Sequence, residues 1–182
     1  MHVGNQTALH DLVPKYSFRH VYSTVVRSGD LERVYSITRD APLSNSKAIC
    51  ALFSLRGLPS ASQGGKAFIE SMGWTELLSN VPTEFVIGYI EDGDVGSWAQ
   101  FSEAYASRKV AFSFRFTKLC PEAVQIVSET RVECRNRVEA IKFWFYWILI
   151  RPFSGLIRKE ILRVVRVQAE AEWANLRAYL KD

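Results

Sequence analysis

The sequence predicts an α+β domain in which an antiparallel sheet is completed before a single long helix begins. Three observations predict it. Residues 16–28, YSFRHVYSTVVRS, alternate along the chain as a strand does. Between Trp74 and Cys134 four more such segments follow one another: TELLS, EFVIGYIED, RKVAFSFRFTKL and AVQIVSETRVEC, with turns at 80–82, 91–96 and 120–122. From about Arg137 to Lys181 the period becomes helical. Strands grouped in this way pair antiparallel, whereas regular alternation of strands and helices would predict a parallel sheet.

In chain order, residues 1–16 are polar, contain Pro14 and show no period; they are expected to be a loose arm before a single domain over 17–182. The first strand ends at Gly29-Asp30. There the Asp30 carboxylate can cap a helix over Leu31–Arg39 and, with Glu32, sit at its positive end. A second helix follows Pro42, capped by Ser44 or Asn45, with Ile49, Leu52, Phe53 and Leu55 as apolar positions. SASQGG (60–65) reads as a loop, and Lys66–Met72 as a short helix closed by Gly73. Residues 40–74 thus read as mainly helical. WAQFSEAY (98–105) fits a short strand or a loop. The C-terminal helix over 137–181 is expected to kink or break near Pro152, which removes one helix hydrogen bond and meets the carbonyl of Ile148.

Composition narrows the function classes. At 182 residues the chain can bury one substantial core, and 48% hydrophobic with 23% charged residues is the balance of a globular protein. A net charge of +4 with scattered basic residues argues against a nucleic-acid partner. Cys50, Cys120 and Cys134 are odd in number and lack C-x-x-C spacing, so they read as reduced thiols of a cytoplasmic protein. The N-terminus has no basic region followed by an apolar run, so no signal peptide is expected. A spanning helix needs about 20 apolar residues. Phe143–Ile150 falls far short and is closed by Lys142 and Arg151.

The element order, with AFSFRFTKL, SETRVE and FWFYWILIRPFSGLIRKEIL in particular, resembles the closing strand pair and gripping helix of the START-like, or SRPBCC, helix-grip superfamily. The likeness covers residues 84–168 and extends to strand 18–27, with 40–74 as an extended helical insertion. In that superfamily a strongly curved sheet wraps the helix and leaves an apolar cavity between them. Members bind lipids, sterols, polyketides or hormones, or catalyse cyclisation and dehydration. The resemblance therefore implies a cavity more than it implies a chemistry.

Alternation assigns the strand faces. Val110, Phe112, Phe114 and Phe116 share one side of strand 109–117, as do Val124, Ile126, Ser128, Thr130 and Val132 in strand 123–133. This set is expected to face the helix. Arg115, Glu129 and Arg131 on the other side are expected to form a solvated cross-strand ladder, worth about 0–1 kcal/mol per pair. The alternative places them as anchors inside a pocket, against the cost of burying charge.

On the helix, Val138, Ile141, Phe145, Ile148 and Leu149 form one arc, and Phe143, Trp144, Trp147 and Ile150 fill most of the rest. A helix so apolar is buried on two sides: against the sheet, and against the inserted helices, a partner subunit or a membrane surface. Past Pro152, Leu156, Ile157, Ile161, Val164 and Val165 take one side. Arg158, Lys159, Arg163 and Arg166 are assigned to a solvated basic side, which can also meet anionic lipid.

No catalytic constellation is visible. His2, His10 and His20 lack metal-site spacing, no GxSxG or phosphate loop occurs, and Glu91, Asp92 and Asp94 lie in a turn. No metal or cofactor is expected. The first reading is binding of a small hydrophobic molecule, a lipid, polyketide or similar. Its walls would be Tyr22, Ile87, Tyr89, Phe112, Phe114, Phe116, Phe143, Trp144 and Trp147, with His20, Ser128 and Thr130 as polar anchors. The second is a cyclase or dehydratase using the same cavity, with acid–base work by Tyr22, His20 or Tyr89. The third is a protein-interaction module or homodimer whose interior is filled by its own rings.

Overall fold

A computed structural model describes residues 7–180 apart from 42, 44, 45, 56–69, 71, 72, 92 and 94. Ten elements follow in chain order among the described residues: α1 (Ala8–Leu12), β1 (Phe18–Val26), α2 (Leu31–Arg39), α3 (Lys47–Leu55), β2 (Thr75–Asn80), β3 (Glu84–Ile90), α4 (Trp98–Glu103), β4 (Arg108–Cys120), β5 (Ala123–Cys134) and α5 (Arg137–Tyr179). The strands make one antiparallel sheet in the order β1-β5-β4-β3-β2. The long C-terminal helix packs against it, so the domain is α+β with a helix-grip-like arrangement.

Local chemistry sets the helix starts. The Asp30 side chain accepts from the Arg33 N–H at 2.8 Å, which fixes α2 where the sequence places it. At the start of α3 the Ser46 hydroxyl accepts from the Ile49 N–H at 3.3 Å; the expected caps Ser44 and Asn45 lie outside the described residues. Asn136 caps α5 through the Glu139 N–H. The expected loop 60–65 and helix Lys66–Met72 lie outside the described residues, Glu70 excepted.

Two apolar layers sandwich the sheet. On one face Val26, Phe85, Ile87, Phe114, Phe116, Val124 and Ile126 meet Val34, Tyr35 and Ile37 of α2, Ile49 and Phe53 of α3, and Ile157, Leu162, Val165 and Ala169 of α5. On the other, Val86, Ile90 and Ala111 are covered by Leu9 and Leu12 of α1, by Val13, and by Phe101 of α4.

That second layer corrects two expectations. Residues 1–16 are not a loose arm throughout, because Thr7 caps α1 and Leu9, Leu12 and Val13 are fully buried on the sheet. Their i, i+3, i+4 spacing is a short helical pattern among polar neighbours. Residues 98–103 are a helix and neither strand nor loop: the Ser97 hydroxyl accepts from Gln100 N–H, and Phe101 drives the turn inward.

The 43 residues of α5 run as one helix through Pro152, a length of about 65 Å; of the two expectations there, the short break does not occur, while a kink is compatible with an uninterrupted helix. Pro152 sits on the exposed side of the helix.

Candidate functional site

The face of the sheet beneath α5 follows from the strand register, since directly opposed residues share a side. Across β1, β5 and β4, Tyr22 opposes Ser128 and Ser128 opposes Phe114; one step along, His20 opposes Thr130 and Thr130 opposes Phe112. Ser128 and Thr130 thus occupy the middle of a patch with Tyr22 and His20 on one side and two phenylalanines on the other. Both hydroxyls are buried, and neither Oγ has a hydrogen-bond partner.

The helix brings one more polar group to this patch. Arg158 is 8% exposed, its guanidinium lies over the Phe112 ring at 4.3 Å and toward the Tyr22 ring at 5.9 Å, and its Nη1 has no partner. Phe112 and Tyr22 stand at diagonal corners of the patch, so the arginine lies across Ser128 and Thr130. Burial pushes the Arg158 pKa down to about 9, with the Tyr22 phenol opposing that fall. The group remains a cation at neutral pH. No carboxylate among the described residues lies close enough to favour its charge.

Sequence reasoning places Arg158 on the solvated basic face, and the structure corrects this. Arg158, Leu162, Val165 and Ala169 are spaced by four, three and four residues, which is one side of a helix, and all four are buried. The spacing was legible; sorting the side chains by charge hid it. Gly155, one turn earlier on α5, allows the close approach. A Cβ there would stand 2.6 Å from Tyr22 Oη.

The edge of the patch is aromatic. Trp147 meets His20 edge-on at 4.9 Å and Phe18 at 5.8 Å, and Phe143 lies 5.0 Å from Phe18. His20 Nδ1 is 3.4 Å from Tyr22 Oη. Burial, with Arg151 and Arg158 adding to it, holds His20 below its ordinary value, so the ring is neutral at neutral pH.

The remaining expected wall residues divide. Ile87 and Phe114 are buried on this face, while Phe116 sits deeper, against Tyr35 and Phe85 in the α2 layer. Tyr89 stands at the open side against Trp74. Trp144 does not face the sheet: it is half exposed and packs on Phe145. Phe18, Gly155 and Arg158 were not among the expected residues.

Charges on the opposite face behave differently. Glu129 and Arg131 are not solvated there. Arg19 donates to Glu129 through Nε and Nη2 at 2.7 and 3.1 Å, and Arg131 Nε donates to the same carboxylate at 2.8 Å. Arg131 Nη1 donates to the Val13 carbonyl at 3.0 Å and approaches His10 Nδ1 at 3.3 Å. Burial raises the Glu129 carboxyl, but the bonds from Arg19 and Arg131 outweigh it and leave it below the usual carboxylate range. The expected exposed ladder is therefore a buried Glu129–Arg131 pair under the N-terminal segment, joined at its rim by the exposed Arg19, and Arg115 is only partly exposed beside Glu84.

The outer arc of α5 is the reverse case. Val138, Ile141, Phe145, Ile148 and Leu149 are all more than half exposed. Neither α2 nor α3 covers them. Instead α2 and α3 meet α5 further along, through the Arg33–Glu172 pair and a Ser46 hydroxyl donating to Glu160. No helix among the described residues is long and apolar enough to cross a membrane.

No family model matches the chain, and no curated protein matches it. Among solved structures, hypothetical protein jhp0584 from Helicobacter pylori is similar over 88% of this chain and 93% of its own, at 11% identity and a TM-score of 0.43. TTHA0849 from Thermus thermophilus is similar over 85% of this chain and 99% of its own, at 10% identity and a TM-score of 0.34. Both likenesses are too distant to carry an argument about fold or function.

Proposed function

We propose that this protein is a cytoplasmic, remote relative of the START-like helix-grip proteins that binds a small, largely apolar molecule between the sheet and α5. One observation carries the reading. Ser128 Oγ, Thr130 Oγ1 and Arg158 Nη1 are buried together without partners, among the rings of Tyr22, Phe112 and Phe114. Buried polar groups are nearly always satisfied, and one left open costs about 1–3 kcal/mol. Three on one apolar-walled patch match the few convergent polar groups that orient a ligand in an apolar site. The test is native mass spectrometry of the protein purified from its own source. A molecule that stays bound under gentle conditions and leaves on denaturation supports the reading. A uniform unliganded mass in repeated preparations counts against it.

A second reading, an enzyme of the cyclase or dehydratase kind, is favoured by the His20–Tyr22 contact at 3.4 Å beside Arg158. A neutral imidazole next to a phenol is a competent proton-transfer pair. Chemical change of the bound molecule on incubation, lost in His20→Phe, would favour the enzyme over the carrier.

A further inference from the structure

We infer that the molecule held between the sheet and α5 is an acid, an amphipathic carboxylate whose head group is received by Arg158. The inference rests on the binding reading above and adds the sign and chemistry of the ligand. The patch is built to donate. Arginine has five N–H donors and no acceptor, and the hydroxyls of Ser128, Thr130 and Tyr22 can all turn a proton toward an oxygen acceptor.

What the patch lacks is negative charge. Glu84 and Glu129 lie on the opposite face of the sheet, with Glu129 held by Arg19 and Arg131. Glu160 on α5 is taken by Arg163 and Ser46. Among the described residues the chain thus buries this cation and supplies no anion for it. A buried charge is tolerated when paired and hydrogen-bonded, and it is expensive otherwise.

A neutral guest such as a sterol or an alcohol could satisfy the hydroxyls, but it would leave the cation unbalanced. A single negative charge balances a single guanidinium. A planar carboxylate offers two oxygens that match the arginine fork, with the hydroxyls taking the lone pairs that remain. The body of the ligand must then be apolar, because the neighbouring side chains are Phe112, Phe114, Phe143 and Trp147.

The probe pair is cis-parinaric acid and its methyl ester, which share one fluorescent chain and differ in the acid charge. They are titrated against the full-length protein at neutral pH. The wild type is expected to bind the acid about 10- to 100-fold more tightly than the ester, the range for a charge-assisted hydrogen-bonded pair. Arg158→Met is expected to lose that preference while still binding the ester, and Arg158→Lys, which keeps the charge but not the fork, to retain part of it.

Equal binding of acid and ester by the wild type would overturn the acid anchor and leave the apolar site standing. So would an undiminished preference in Arg158→Met. Failure of both probes to bind the wild type would instead overturn the binding reading on which the anchor rests. Removing an unpaired buried charge should not unfold the protein, and circular dichroism of Arg158→Met checks that the comparison is made on a folded variant.

Discussion

Arg131 and Arg158 are buried to nearly the same degree, 6% and 8% exposed, on opposite faces of one sheet. Arg131 spends its donors on Glu129, on the Val13 carbonyl and toward His10, and its guanidinium lies over the Tyr16 ring at 4.9 Å. Arg158 has aromatic faces around it and no anion among the described residues. The first is completed by the chain itself: α1 and Val13 close over it, and it ties the N-terminal segment to β5. The second is incomplete, and nothing among the described residues completes it. Burial alone therefore says little about the purpose of a charged side chain; the partners decide.

The contrast breaks most visibly under truncation. Arg131→Ala leaves Glu129 with one arginine and the Val13 carbonyl without its donor. The expected loss is about 3–5 kcal/mol, the usual penalty for breaking a buried ion pair, read from urea unfolding. A loss below about 1 kcal/mol would place the Glu129–Arg131 pair among exposed pairs and remove the basis of the contrast. Arg158→Met in ligand-free protein should go the other way, from no change to a gain of about 1–4 kcal/mol, because an apolar side chain replaces an unbalanced charge. A loss as large as that of Arg131→Ala would mean that both arginines are structural.

Gly155 sharpens the comparison by testing the close contact beside Arg158. In Gly155→Ala the new Cβ would meet Tyr22 Oη at 2.6 Å, so helix and strand must part. The expected cost is about 1–3 kcal/mol, as for other overpacking changes. Most of it should return in the Gly155→Ala, Tyr22→Phe double variant, which removes the clashing oxygen. A double-mutant cycle measures that recovery. Strict additivity would show that the helix does not approach β1 at Tyr22 as described.

Much of this was legible in the sequence, and the reasons are physical. Strand faces were readable because side chains alternate with period two and one set is plainly apolar, so Ser128 and Thr130 could be placed under the helix. The bounds of α2 were readable because Asp30 is a strong cap. The face of Trp144 was not: around Phe143–Ile150 every direction is apolar, and a pattern without contrast cannot say which side meets the sheet. The cover over Glu129 and Arg131 was hidden in three residues, Leu9, Leu12 and Val13, too few to stand out as a helix. Arg158 is hidden by its charge, which usually marks an exposed side chain; only its spacing to Leu162 and Val165 places it on the buried side.

The paired face also contains one group that is not fully satisfied, and it gives the contrast its smallest and most specific test. Glu84 is buried; its Oε2 accepts from the Ala8 N–H at 3.2 Å, and its Oε1 has no partner. Burial raises its pKa above the ordinary 4.5, and the Ala8 bond and the nearby Arg115 only partly oppose this, with Glu129 and Asp11 adding to the rise. The folded state therefore holds the Glu84 proton more tightly than the unfolded chain does. Its contribution to stability is fully present below the unfolded value and is lost as pH rises through the folded one. Glu129, held low, has the opposite sign: its contribution is present above the unfolded carboxyl value and is lost as pH falls through its depressed folded value. Glu84→Gln removes the first dependence and leaves the second, keeping an oxygen for the Ala8 N–H. Unfolding titrations from below the ordinary carboxyl value of 4.5 to neutral pH should show the variant gaining on the wild type as pH rises. The difference should grow through the raised Glu84 value and level off above it. A difference that stays constant across that range would mean that Glu84 titrates alike in both states, and that the face closed by α1 is as fully paired at Glu84 as it is at Arg131.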